Sequence, residues 1–184
     1  HCKQGEEWQT GEMQDFEDIS LSPAAGVLNY GQGLFEGMKA QRAADGNIVI
    51  FRPERNAKRM QEGAKRLGIP PVSEAMFQDA VRQAVLENLR WVPPMGKGAL
   101  YVRPLLMGSG AILGVAPAPE YRFLVYVSPV GPYFKGGMKP IALKISDEFH
   151  RAAPGGSADA PLRPADALFT PAGFLAASHR LARA

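Results

Sequence analysis

The chain has 184 residues, a hydrophobic share of 46% and a net charge of +3. That length and composition suit a chain with a folded core and argue against disorder. Its single cysteine excludes an internal disulfide, and no apolar run approaches the roughly 20 residues of a membrane helix. Basic residues are scattered rather than massed, which argues against nucleic acid as a partner. The lone Cys2 suits a reducing compartment. The chain starts at His1, with no initiator methionine and no apolar signal core, so we expect a processed product or a piece of a longer chain.

Residues 1–17 are polar and lean acidic, and read as an edge segment or arm. Periodic structure is expected from Ile19 onward. Asp45-Gly46 separates two strand-like runs, near 36–42 and 47–51. An Asp-Gly pair in that position predicts an antiparallel hairpin whose two central turn residues both take positive φ. Pro53 suits a first helical position, and Ala57, Met60, Ala64 and Leu67 are spaced for one buried stripe. Gly68 and Pro70 should stop that helix. A second helix is expected from Ser73 as N-cap, with Phe77, Ala80, Val81, Ala84, Val85 and Leu89 on one face. Residues 99–107, 121–130 and 140–146 read as strands. Two helices and an antiparallel-rich set of strands give an α+β domain. The last 28 residues, from Ser157, are rich in alanine and proline, and only residues 170–184 could form a short helix.

Few residues stand out chemically. The glycines at 108, 110 and 114 have neither dinucleotide-loop nor phosphate-loop spacing. They mark either a flexible turn or a loop bordering a ligand. Arg103 sits within an apolar strand, where a charge is costly to bury unless paired. It is either an arginine on the solvent face or, with Tyr101 beside it on the same face, a holder for a carboxylate. Arg59 reads from its pattern as a solvated helix arginine. His1, His150 and His179 lack metal-ligand spacing, and no nucleophile motif is present.

Five stretches nevertheless occur together in order: "LNYGQGLFEGMKAQR", "FRPERNAKRM", "RWVPPMGKGALYVRPLLMGSGAILGVAPAPEY", "YVSPVGPYF" and "EFHRAAPGG". Over residues 17–156 the chain resembles the branched-chain amino acid aminotransferases, a group of fold-type IV pyridoxal-phosphate enzymes. The resemblance implies an α+β small domain over 18–140, the start of a larger domain over 141–156 and a tail over 157–184 that does not match. It implies amino-group exchange between leucine, isoleucine or valine and 2-oxoglutarate through pyridoxal phosphate. By the same resemblance Arg59 grips the cofactor phosphate and Arg151 lies near the cofactor. Tyr30 and Phe35 line the substrate side-chain pocket, while Tyr101 and Arg103 shape the substrate site, in some relatives across a homodimer interface. Plastid, mitochondrion or cytoplasm is the compartment expected from such relatives.

Two departures appear. Gln41 replaces an aromatic residue common in the group. The lysine that bonds the cofactor should follow "GG" by five residues, where this chain has Pro161. A proline offers no amine for that bond. The abrupt change after Gly156 suits a stretch read from an intron or another frame. On this reading the chain is inactive alone. The alternative is a non-catalytic small domain that pairs with full-length subunits.

Overall fold

The computed structural model describes residues 1–132. Residues His1–Gly131 form one compact unit and Pro132–Ala184 a second. Arg151, Pro161, the strand expected over 140–146 and the helix expected over 170–184 lie outside the described residues.

The first unit is a curled antiparallel sheet with helices packed on one face, as the α+β reading expects. In chain order come β1 (Cys2–Lys3), α1 (Gly26–Tyr30), β2 (Gly33–Phe35), β3 (Met38–Arg42) and β4 (Ile48–Ile50). They are followed by α2 (Pro53–Arg66), α3 (Glu74–Glu87), a 3₁₀ turn (Leu89–Trp91), β5 (Ala99–Gly108) and β6 (Glu120–Val130). The sheet order is β1-β6-β5-β3-β4, with β2 also pairing β5. β5 is therefore the central strand, bonded to β6 on one side and to β3 and β2 on the other.

Alternation along β5 sorts the sheet's two faces. Leu100, Val102, Pro104 and Leu106 are buried, while Tyr101, Arg103 and Leu105 between them are half-exposed. The buried set joins Met38 and Ala40 from β3, with Phe123, Val125 and Val127 of β6 packed against it. α2 adds Ala57, Met60 and Ala64 to this core, and α3 adds Phe77, Val81 and Val85. Phe77 stacks on Phe123 with ring centroids 6.0 Å apart, and Trp8 meets Phe123 edge-on at 6.5 Å. Trp8 also donates its indole N–H to the Pro70 carbonyl.

Both long helices start and stop where their residues dictate. Pro53 opens α2 with its missing N–H at an unpaired position. Ser73 caps α3, its Oγ accepting from the Met76 N–H at 3.1 Å. The stripe on α2 is buried as expected, except that Leu67 lies past the helix end and is only partly covered. On α3, Leu89 departs from the expected face. The helix ends at Glu87, and Leu89 enters the 3₁₀ turn, 40% exposed.

Two further expectations need correction. Ile19 lies in an irregular, exposed stretch, and the first helix begins only at Gly26. The β3–β4 hairpin forms, but its turn is of another type. Arg52 is the one non-glycine residue with positive φ among the described residues, so Asp45 does not share that conformation with Gly46 (φ 86). The Gly46 N–H closes the turn onto the Ala43 carbonyl, and the Ala43 N–H meets the Asn47 carbonyl. The connection thus spans five residues, 43–47, with Asp45 accepting from the Asn47 N–H. Finally, α1 and β2 form within "GVLNYGQGLF", which carries too short a pattern to show either.

Phe77 is 1% exposed at the centre of this core. Phe77→Ala should lower unfolding stability by about 3–5 kcal/mol. Urea denaturation followed by circular dichroism measures it, and a loss under about 1 kcal/mol would remove Phe77 from the core.

Candidate functional site

Residues 33–40 run along β5 in a single register, with Phe35 opposite Leu105 and Met38 opposite Val102. Continuing that register places Glu36 opposite Pro104 and Gly37 opposite Arg103. Pro104 accepts a bond from the Glu36 N–H at 2.9 Å but has no N–H to return. The ladder lapses there, which separates β2 from β3. The register also assigns the faces. Glu36 shares the helix-covered face with Leu34 and Met38, and Phe35, Gly37 and Lys39 share the open face with Tyr101 and Arg103.

On the open face the structure brings Phe35, Tyr101 and Arg103 together. The Arg103 guanidinium lies 4.1 Å from the Phe35 ring centroid and 5.1 Å from that of Tyr101. Its Nη2 donates to the Tyr101 hydroxyl at 2.8 Å. Gly37 makes room for this arrangement, because a Cβ there would collide with the Tyr101 hydroxyl. Arg103 Nε is buried with no acceptor among the described residues. A buried N–H of a cation without an acceptor is costly. Both readings of Arg103 therefore need sharpening. It is half-buried and held between rings rather than simply solvated, and it keeps donor capacity that an oxyanion could use.

A residue the sequence pattern did not single out also reaches this face. Tyr126 lies opposite Arg103 on β6, and the Phe16 ring packs on it with centroids 6.0 Å apart. Phe16 comes from the irregular stretch after Trp8 and is 86% exposed. No local periodicity signals it, since its neighbours are polar and the contact spans more than a hundred residues. Tyr30 does not join the group. It ends α1 and is more than half exposed.

On the covered face Glu36 meets α2. Arg59 donates to Glu36 through Nε at 3.0 Å and Nη2 at 2.9 Å, a two-pronged pair. Asn56 donates to Glu36 Oε2 at 2.7 Å and to the Gly37 carbonyl at 3.3 Å. The Glu36 side chain is 4% exposed and that of Arg59 28%. Burial pushes the Glu36 carboxyl up from its ordinary value, and the hydrogen bond and charge of Arg59, then Asn56, pull against it without cancelling it. Arg59 is thus no solvated helix arginine. Neither Glu36 nor Asn56 was picked out from the sequence.

The glycine-rich loop after β5 is pinned at its start. The Ser109 and Gly110 N–H groups both donate to the Glu120 carbonyl, and the Ile112 N–H donates to the Ala24 carbonyl. Only its tip is open, where Leu113 and Val115 stand 78% and 109% exposed. Arg151 is outside the described residues. Among the described residues no group of histidine, cysteine, aspartate and glutamate could hold a metal ion, and no helix is long and apolar enough to cross a membrane.

Comparison with known proteins fixes the relationship. Branched-chain amino acid aminotransferase 2, chloroplastic, of Humulus lupulus is 64% identical over 156 residues. That match covers 85% of this chain and 38% of the hop protein. The chain is kin to the branched-chain aminotransferases.

The mitochondrial branched-chain amino acid aminotransferase 1 of the same plant is 56% identical, with 40% of its length covered. The chain thus spans about two fifths of the curated relatives it matches, and it aligns with their N-terminal part. Among solved structures, a branched-chain aminotransferase from Thermoproteus uzoniensis with norvaline superimposes with a TM-score of 0.58 and 26% identity. That superposition covers 68% of this chain and 40% of the archaeal one. The T.th. branched-chain aminotransferase with pyridoxamine 5'-phosphate gives a TM-score of 0.53 at 28% identity, covering 63% of this chain and 36% of that one. No family model matches the chain. The two hop relatives are named chloroplastic and mitochondrial, and the second solved structure holds pyridoxamine 5'-phosphate.

The raised Glu36 carboxyl has a consequence for stability. As pH rises, the unfolded chain loses this proton before the folded chain does. The stabilisation tied to the protonated carboxyl is present below the ordinary value of 4.5 and is lost as pH climbs through the folded value. Thermal unfolding of wild type and Glu36→Gln at pH 4 and pH 6.5 measures this. The melting temperature of wild type relative to the variant should be lower at the higher pH, and equal differences at both would refute it.

Proposed function

We propose that this chain carries one side of a branched-chain aminotransferase site. Such a site moves an amino group between leucine, isoleucine or valine and 2-oxoglutarate with pyridoxal phosphate. The observation behind this reading is the Phe35–Tyr101–Arg103 group on the open sheet face, together with Arg59 of α2, anchored by Glu36 on the covered face. Arg103 and Tyr101 supply donors for a substrate carboxylate. Phe35, with Phe16 on the same open face, supplies apolar surface for an aliphatic side chain.

The residues described fit the phosphate end of the cofactor. Arg59 is fixed by Glu36 and keeps its side chain 28% exposed. Bound pyridoxal phosphate supplies the electron sink for breaking a bond at Cα. Arg151 would join at the cofactor end. With Pro161 in the lysine position, this chain alone forms no covalent bond to the cofactor and does not turn over. The same reading carries a homodimer for the full-length relatives. A plastid or mitochondrion is the compartment this reading gives.

Exchange of segments tests it. The 156 matched residues replace their counterparts in the hop chloroplastic enzyme, and glutamate formation from leucine and 2-oxoglutarate is followed. The exchanged enzyme should be active, and this chain by itself should form no glutamate. Within the exchanged enzyme Arg103→Ala should lower kcat/KM at least about 100-fold, about 2.7 kcal/mol of transition-state stabilisation. An inactive exchange, or an Arg103 variant at full activity, would sink the proposal.

A further inference from the structure

We propose that Glu36 is a positioning residue for the phosphate-binding arginine, fixing which edge of the Arg59 guanidinium a phosphate meets. The inference rests on the cofactor reading above. A guanidinium presents two edges that fork onto an oxyanion: Nε with one Nη2 hydrogen, and Nη1 with the other. Glu36 occupies the first edge through both of its oxygens, at 3.0 and 2.9 Å. The second is the edge that a phosphate would meet.

The carboxylate is itself held. Asn56, one turn before Arg59 on α2, ties Glu36 Oε2 to the helix and the Gly37 carbonyl to the same amide. Pro104 receives the Glu36 N–H and fixes the backbone beneath. Glu36, Asn56 and Arg59 therefore form a dry base with a partly exposed arginine head. Burial makes ionisation of Glu36 unfavourable, and its hydrogen bonds do not fully offset this. A carboxylate held there at such a cost is explained by what it orients.

Simple electrostatics predicts the opposite effect on binding. A carboxylate beside Arg59 neutralises part of its charge and repels a phosphate, so its removal should tighten phosphate binding. Positioning predicts weakening, because Arg59 then loses the two bonds that set the direction of its guanidinium. The sign of the change separates the two.

The full chain is titrated with pyridoxal phosphate and, as the probe without a phosphate, with pyridoxal, by tryptophan fluorescence. Wild type should prefer the phosphorylated form, and Arg59→Ala should abolish that preference. Glu36→Gln should weaken pyridoxal phosphate binding about tenfold and leave pyridoxal binding unchanged. The double variant should bind no worse than Arg59→Ala alone, as for residues acting through one another. Should Glu36→Gln fail to fold, Glu36→Asp, one methylene shorter, carries the test with a smaller loss in the same direction. Phosphate-dependent binding equal to wild type or tighter in whichever variant folds overturns the positioning role. So does a double variant in which the two losses add. No phosphate preference in wild type, or one untouched in Arg59→Ala, overturns the cofactor reading and this inference with it.

Discussion

The antiparallel register of β5 against residues 33–40 is the constraint on which the site depends. Strand side chains alternate between faces, so one register decides which residues meet the helices and which meet a ligand. Here it sends Glu36 to α2 and leaves Phe35 and Gly37 beside Arg103. A slip of one residue would exchange the two sets. It would put a carboxylate next to Arg103 and a phenyl ring under Arg59. The register is protected by the core on the covered face, where Leu34, Met38 and Ala40 lie among Leu100, Val102 and Leu106. The packing that holds the fold together thus also aligns the chemistry.

Much of this framework was legible in the sequence, and the reasons are local. α2 and α3 announce themselves through Pro53, Ser73 and a regular apolar stripe. β5 and β6 show through their apolar, β-forming residues, and the alternation of β5 correctly put Tyr101 and Arg103 on one face. What was hidden depends on distance in the chain. Phe16 gains its place only from β6, more than a hundred residues later. Glu36 looks like any polar residue in a short strand until α2 folds back across it. The turn at Asp45-Gly46 was misjudged because the dipeptide suits more than one hairpin connection. The choice was made by where the β3–β4 ladder ends, at Arg42 opposite Ile48. The short α1 and β2 have too few residues for any period to show.

The two arginines illustrate different ways of holding a charge for use. Arg59 is bonded to a carboxylate, which fixes its direction and lowers its net pull on anions. Arg103 is held by aromatic faces and one hydroxyl, which fix its position and leave its charge without a bonded acid among the described residues. The first arrangement suits a ligand group that carries ample charge of its own, such as a phosphate, and needs placement more than attraction. The second suits a singly charged carboxylate, which gains most from an undiminished cation.

The same contrast bears on how the fold tolerates these groups. Arg103 keeps one guanidinium N–H buried without an acceptor among the described residues, and Glu36 is ionised only against the resistance of its surroundings. Neither feature helps the domain to fold, and a core residue in either place would pack more comfortably. Both lie where the β5 register breaks its own pattern, at the lapse made by Pro104 and the gap made by Gly37. Structural imperfections that cluster at one place in an otherwise regular sheet are better explained by function than by folding. That clustering sets these residues apart from exposed pairs such as Arg82 and Asp79, whose geometry is close and whose position asks nothing of the core.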